Sequence, residues 1–164
     1  MRRGIPLVPF LVGATTLSAQ SVSLSPLVRL PPLSVVVESL PAAAAQLGLV
    51  PSQIQTDTEL RLRQAGVRVL AGDVARPMTP YLYVNINAVS YEPQGLYGYT
   101  VEVKLQQPVV LPRRGEALFM AATWSARGSI GLAPLERVAS RIRESISDQL
   151  SQFLNEWLAE NPRR

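Results

Sequence analysis

Two stretches of alternating residues, set back to back and opposite in parity, restrict this chain more than any other feature. From Tyr81 to Tyr91 the even positions are apolar (Leu82, Val84, Ile86, Ala88), and the odd ones are Tyr81, Tyr83, Asn85, Asn87, Val89 and Tyr91. From Tyr97 to Gln107 the order inverts. Tyr99, Val101, Val103 and Leu105 are apolar, while Thr100, Glu102, Lys104 and Gln106 are polar. Successive side chains of a strand point to opposite faces of its sheet, so each stretch reads as a half-buried strand. Glu92-Pro93-Gln94-Gly95 between them is a turn, and the pair forms a β-hairpin. Centring the pairing on that turn sets Ala88 against Tyr99, Ile86 against Val101 and Val84 against Val103. The same register sets Asn87 against Thr100, Asn85 against Glu102 and Tyr83 against Lys104. All the apolar positions then share one face, and a slip of one residue destroys the arrangement.

The flanking segments supply the other layer. Ser34 to Leu40 holds the β-branched run Val35-Val36-Val37 and reads as a short first strand. Pro41, four alanines and Gly48 suit a helical turn entered at proline. Ser52-x-x-Gln55 has the spacing of a capping box, and Gly66 stops the helix that follows. Ile54, Thr58, Leu62 and Ala65 fall on one face of that helix, with Arg61 and Arg63 turned outward. Val67 to Leu70 reads as a short strand, followed by a loop punctuated by Gly72, Pro77 and Pro80. After a turn at Pro112-Arg113-Arg114-Gly115, Ala117 to Arg127 is a further strand. Both of its alternating series are partly apolar; the series Met120, Ala122, Trp124, Ala126 is read as buried, which turns Thr123, Ser125 and Arg127 to the polar side. Gly128 to Gly131 reads as a loop, and Pro134 opens the last helix. Leu135, Val138, Ile142, Ile146, Leu150, Phe153 and Trp157 form its apolar stripe, and Asn161-Pro162 ends it.

The element order is therefore β-α-β-β-β-β-α, with a single domain over 34–161. Two amphipathic helices need a sheet face, and the hairpin offers one. The fold class is α+β, a two-layer sandwich: a mainly antiparallel sheet of four to five strands with both helices on one face. The opposite face stays polar and open to water, as antiparallel sheets allow. It presents Tyr83, Asn85, Asn87, Thr100, Glu102, Lys104 and Arg127 as the candidate interaction face. Lys104 beside Tyr83 is placed for a cation–π contact.

Composition narrows the chemistry. The 164 residues include no cysteine and no histidine. This excludes disulfides, thiol catalysis, Fe–S clusters, a lipobox-type lipid anchor, histidine-based triads and the common zinc sites. The carboxylates are scattered without an acid–base pair or a metal-ligand pattern. Arg127-Gly128-Ser129-Ile130-Gly131 lacks the nucleophile elbow, and no glycine-rich segment forms a phosphate loop. The expectation is a chain that is not an enzyme and uses no cofactor or metal.

The N-terminus reads as an address. Met1-Arg2-Arg3, an uncharged and mostly apolar stretch from Ile5 to Leu17, and Ser18-Ala19 follow the order of a secretory signal peptide. Residues 1–20 are assigned to it and 21–33 to a flexible lead. Sixteen basic and twelve acidic residues give +4; without Arg2 and Arg3 the balance is fourteen to twelve, or +2. Nucleic acid is not expected as a partner at that charge, and no segment of the mature chain is long and apolar enough to span a bilayer. The expected location is periplasmic or secreted. The expected function is a non-catalytic binding or interaction module of the cell envelope, using the polar sheet face or an open strand edge to meet a protein or envelope component. Two alternatives stay open: a small-ligand carrier or hydrolase using Glu102 with Arg127 or Lys104, and a structural homodimer.

The segments Thr56-Asp57-Thr58-Glu59-Leu60-Arg61-Leu62-Arg63-Gln64-Ala65-Gly66, Pro80-Tyr81-Leu82-Tyr83-Val84-Asn85 and Ala122-Thr123-Trp124-Ser125 resemble exported bacterial α+β proteins of uncharacterised role. In element order the chain is also similar to the N-terminal domain of the periplasmic TolB family and to small envelope lipoproteins that assist cell-wall synthesis. The resemblance implies an envelope scaffold or binding module. The chain departs from those families in having no lipid-anchor cysteine and no propeller.

Overall fold

The hairpin forms in the register set by its alternation. In the computed structural model, which describes residues 25–70, 78–91, 94–111 and 118–162, Ala88 faces Tyr99, Ile86 faces Val101, Asn85 faces Glu102 and Tyr83 faces Lys104. The described elements are β1 (Ser34–Val37), α1 (Ala42–Gln46), α2 (Pro51–Ala65), β2 (Tyr81–Tyr91), β3 (Leu96–Val110), β4 (Leu118–Ser125), β5 (Ser129–Pro134) and α3 (Leu135–Glu160). The expected signal peptide, Gly72, Pro77 and the Pro112–Gly115 turn lie outside the described residues.

Five strands make one mixed sheet. β1 runs parallel to β2, and every other pairing is antiparallel. The architecture is the expected α+β two-layer sandwich. Leu82, Val84, Ile86, Val101, Val103 and Leu105 are buried on the inner face, and Ile54, Leu62, Val138, Ile142, Leu150 and Phe153 come down on them from α2 and α3. At about 1.5–3 kcal/mol for each large apolar side chain, this face supplies most of the driving force for folding.

Several local expectations are corrected. Val67 to Leu70 is not a strand; Val69 makes one isolated parallel bridge to Leu33, beside the start of β1. α2 starts at Pro51 with Val50 as its N-cap and no side-chain cap, so Ser52 and Gln55 form no capping box; Gln55 bonds Glu59 instead. Gly66 does stop that helix, in the left-handed conformation at φ 98°. Arg63 turns outward to Glu59, but Arg61 reaches across to α3, donating to Ser147 Oγ (2.8 Å) and Ser151 Oγ (3.0 Å). The lead packs from Ser25 onward: Leu27, Leu30 and Leu33 are buried, and Asn161 bonds both Leu27 O and the Arg29 N–H.

The largest difference is at the last strand. Ser129–Pro134, read as loop and helix start, is β5, paired with Leu96–Val101. β4 pairs with the other half of β3, on the same edge, from Lys104 to Val110. The two are consecutive pieces of one edge strand. Within β4 the register shifts between Leu105 and Gln106, where Leu105 faces Trp124 and Gln106 faces Ala122, leaving Thr123 as the extra residue. The bulge changes the parity. Trp124 and Ala126 are buried as expected, but Ala122 is exposed and Met120 half-buried.

Between β4 and β5, at Ala126-Arg127-Gly128, the edge strand breaks and a helix side chain fills the gap. The Ala126 N–H still donates to Val103 O (3.0 Å). The Val103 N–H finds no strand carbonyl and donates instead to Gln149 Oε1 of α3 (2.8 Å), while Gln149 Nε2 donates to Val101 O (2.9 Å) and Ser129 Oγ (3.1 Å). Gln149 is only 4% exposed. Its amide mimics a strand peptide unit and ties α3 into the ladder. Gln149→Leu keeps the bulk and strands a buried N–H, so urea denaturation should show a loss of about 1–3 kcal/mol. An unchanged midpoint would contradict this role.

Candidate functional site: the outer face of the sheet

Since the even positions of β2 and the odd positions of β3 point inward, their neighbours in sequence make up the outer face. The residues expected there fall together with one exception. Tyr83 faces Lys104, Asn85 faces Glu102, and Asn87 faces Thr100. Ser125, from β4, faces Lys104 from the other side. Arg127 departs from this row. It lies in the break after β4, where its backbone N–H donates to Gln152 Oε1 (3.1 Å), and it lines a recess with Ser145, Asp148 and Gln149 of α3.

The polar groups bond mostly to one another. Lys104 Nζ meets Glu102 Oε2 at 2.7 Å, two residues along the same strand face. The carboxylate takes the ammonium that was expected to sit on the Tyr83 ring. A half-exposed pair of this kind adds about 0–1 kcal/mol. Asn87 Nδ2 donates to Asn85 Oδ1 (3.1 Å). The Tyr83 ring meets that of Tyr81 edge-on, centroids 6.4 Å apart, and its hydroxyl donates to Glu38, just past the end of β1.

Toward the hairpin turn the same face becomes apolar, which the sequence reading missed. Gly98 has no side chain, and Val89 and Leu132 approach over it from the two sides. Ile130 faces Thr100 one row further on. Val89, Ile130 and Leu132 are 66%, 85% and 72% exposed. Together with Asn87 and Thr100 they bound a trough of about 590 Å³. Ile130 and Leu132 went unnoticed because two glycines and a proline disguised their strand; the alternation Ser129, Ile130, Gly131, Leu132, Ala133 was the available signal.

This face can accept hydrogen-bonding groups over its middle and apolar groups at its hairpin end. Glu102, Lys104 and Arg127 do not line the trough. No group of three potential metal ligands occurs among the described residues, and no helix among them is long and apolar enough to cross a membrane.

The bond to Glu38 pushes the Tyr83 phenol up from 10.0 to about 12, helped by partial burial and the Glu38 charge. The neutral phenol is the form that the fold favours. Its contribution is complete below the unfolded value near 10 and disappears as pH climbs through 12. Absorbance titration of tyrosinate should therefore show one late-ionising tyrosine, and Glu38→Gln should return it toward 10. An identical titration curve for the variant would contradict the pairing.

No family model matches the chain, and no curated protein matches it. Among solved structures it is similar to the rare lipoprotein B of Shewanella oneidensis, at 15% identity over 79% of this chain and 92% of that one, with a TM-score of 0.29. It is also similar to a minor lipoprotein of Acinetobacter baumannii, at 16% identity over 77% and 92%, with a TM-score of 0.30. Both are lipoproteins by name.

Proposed function

We propose that the chain is a non-catalytic binding module of the cell envelope, exported to the periplasm or the cell exterior, that meets a protein or envelope component on the outer face of its sheet. The observation behind this reading is the division of labour between the faces. The described core lies on the inner side under α2 and α3, while the outer side keeps both a hydrogen-bonding row and an exposed apolar trough. Contiguous apolar surface of this kind on a folded domain is characteristic of interaction sites. The Arg2-Arg3 start and the apolar stretch behind it support export.

Carriage of a small ligand is a second reading, favoured by the trough, whose volume is in the usual range for ligand sites. In that reading the ligand is held by Val89, Ile130 and Leu132 rather than by Glu102 with Arg127 or Lys104. A structural homodimer is a third, decided by molar mass from light scattering.

Lys104 is the only lysine among the sixteen basic residues, so an amine-reactive reagent marks the middle of this face at one side chain. Affinity capture of the exported protein from its own cells supplies the partner. Tyr83→Ala with Lys104→Ala should abolish that capture while leaving the protein folded, with a loss in unfolding free energy of about 1–3 kcal/mol from the Glu38 bond, the Tyr81 ring contact and the Glu102 pair. Bound partner should protect Lys104 from acylation. Undiminished capture by the double variant would remove this face from consideration.

A further inference from the structure

We propose that β5 is a releasable strand: it leaves β3 while the rest of the sheet stays folded, and the edge of β3 from Leu96 to Val101 then accepts an extended segment of another chain. This holds whether or not the outer face binds a partner.

β5 contributes little to the core. Ala133 is its one buried side chain, Gly131 has none, and Ile130 and Leu132 stand in solvent. β4, on the same edge, is pinned by Trp124, whose ring meets Phe153 edge-on at 5.1 Å and whose indole N–H donates to Glu156. The ladder is already interrupted between the two, with Gln149 in the gap. Beyond β5 the chain enters α3 through Leu135, which is exposed, and the helix first becomes buried at Val138. Between the anchors Ala126 and Val138, therefore, Ala133 is the one buried apolar side chain, and the bonds from α3 to the segment, Gln152 to the Arg127 N–H and Gln149 to Ser129 Oγ, lie at its start beside the break. Few buried contacts and solvent-exposed backbone bonds are the physical conditions for local opening below the global unfolding free energy.

The vacated edge has defined chemistry. Asn85 and Glu102 bond across the hairpin, so the even residues of β3 direct their backbone groups to β2, and Tyr97, Tyr99 and Val101 direct theirs to β5. Released, these groups need a strand or water. A Cβ at Gly131 would lie 2.6 Å from the Tyr99 ring, so glycine is the residue that fits opposite Tyr99 without displacing that ring. Its neighbours on either side of that glycine face outward beside the apolar trough. The acceptor thus suits an extended segment with glycine between two apolar residues. No charged residue occurs from Gly128 to Leu135, so this edge lacks the charges that commonly guard exposed strands.

Amide exchange followed by NMR tests the release. The Tyr97, Tyr99, Gly131 and Ala133 amides should exchange on the order of 100-fold faster than Gly98 and Thr100, which sit in the same ribbon but bond to β2. Equal, slow exchange at all six positions would overturn the proposal. Thr100→Cys with Ile130→Cys provides a lock, since the pair is opposed without mutual backbone bonds and the chain has no other cysteine. Oxidation should remove the fast exchange, and reduction should restore it. A synthetic peptide spanning Gly128 to Leu135 should shift the Tyr97 and Tyr99 resonances of the reduced protein and not of the oxidised one, and its Gly131→Val version should fail. Absence of any shift in the reduced protein would overturn strand acceptance.

Discussion

The fifteen residues of β3 set the terms for the rest of the sheet. Its edge toward β2 is paired in one uninterrupted register, while its other edge is too long for β4 and passes to β5 after a break. Backbone groups beneath a helix cannot be left without partners at small cost. The amide of Gln149 meets that requirement. α3 is consequently bonded into the sheet as well as packed on it, and this fixes its rotation and its position along β3.

With the inner face committed to the helices, the outer face is free to vary in character along its length. The change follows directly from the strands. Odd positions of β2 pass from Asn85 and Asn87 to Val89, and even positions of β3 pass from Glu102 and Thr100 to Gly98. Loss of the side chain at Gly98 turns an otherwise flat apolar patch into a trough. A surface with one hydrogen-bonding region and one concave apolar region gives a partner both orientation and affinity.

How much of this was legible in the sequence depended on whether a residue's partners were also regular. The hairpin register was readable because two opposed alternations shared a single solution, and it placed Tyr83, Asn85, Asn87, Thr100, Glu102 and Lys104 together. The α3 stripe was readable from Val138 to Phe153, yet nothing in the helical period singles out Gln149, because its partners are the gap in a distant ladder. β5 was hidden by Gly128, Gly131 and Pro134, residues that ordinarily mark loops, and half of the apolar trough was hidden with it. The bulge at Thr123 made both series of β4 look half-apolar, so one rule of alternation could not describe the whole strand. Arg127 was assigned to the polar face by extending that rule past the point where the strand ends.

The layering itself, with the described helices on one side of β2–β3 and none among the described residues on the other, is tested most directly by single cysteines placed along β2 from Leu82 to Val89 in this cysteine-free chain. Thiol labelling of the folded protein should be fast at Tyr83→Cys, Asn85→Cys, Asn87→Cys and Val89→Cys, and should wait for unfolding at Leu82→Cys, Val84→Cys, Ile86→Cys and Ala88→Cys. Protection of Asn85→Cys equal to that of Ile86→Cys would contradict the arrangement.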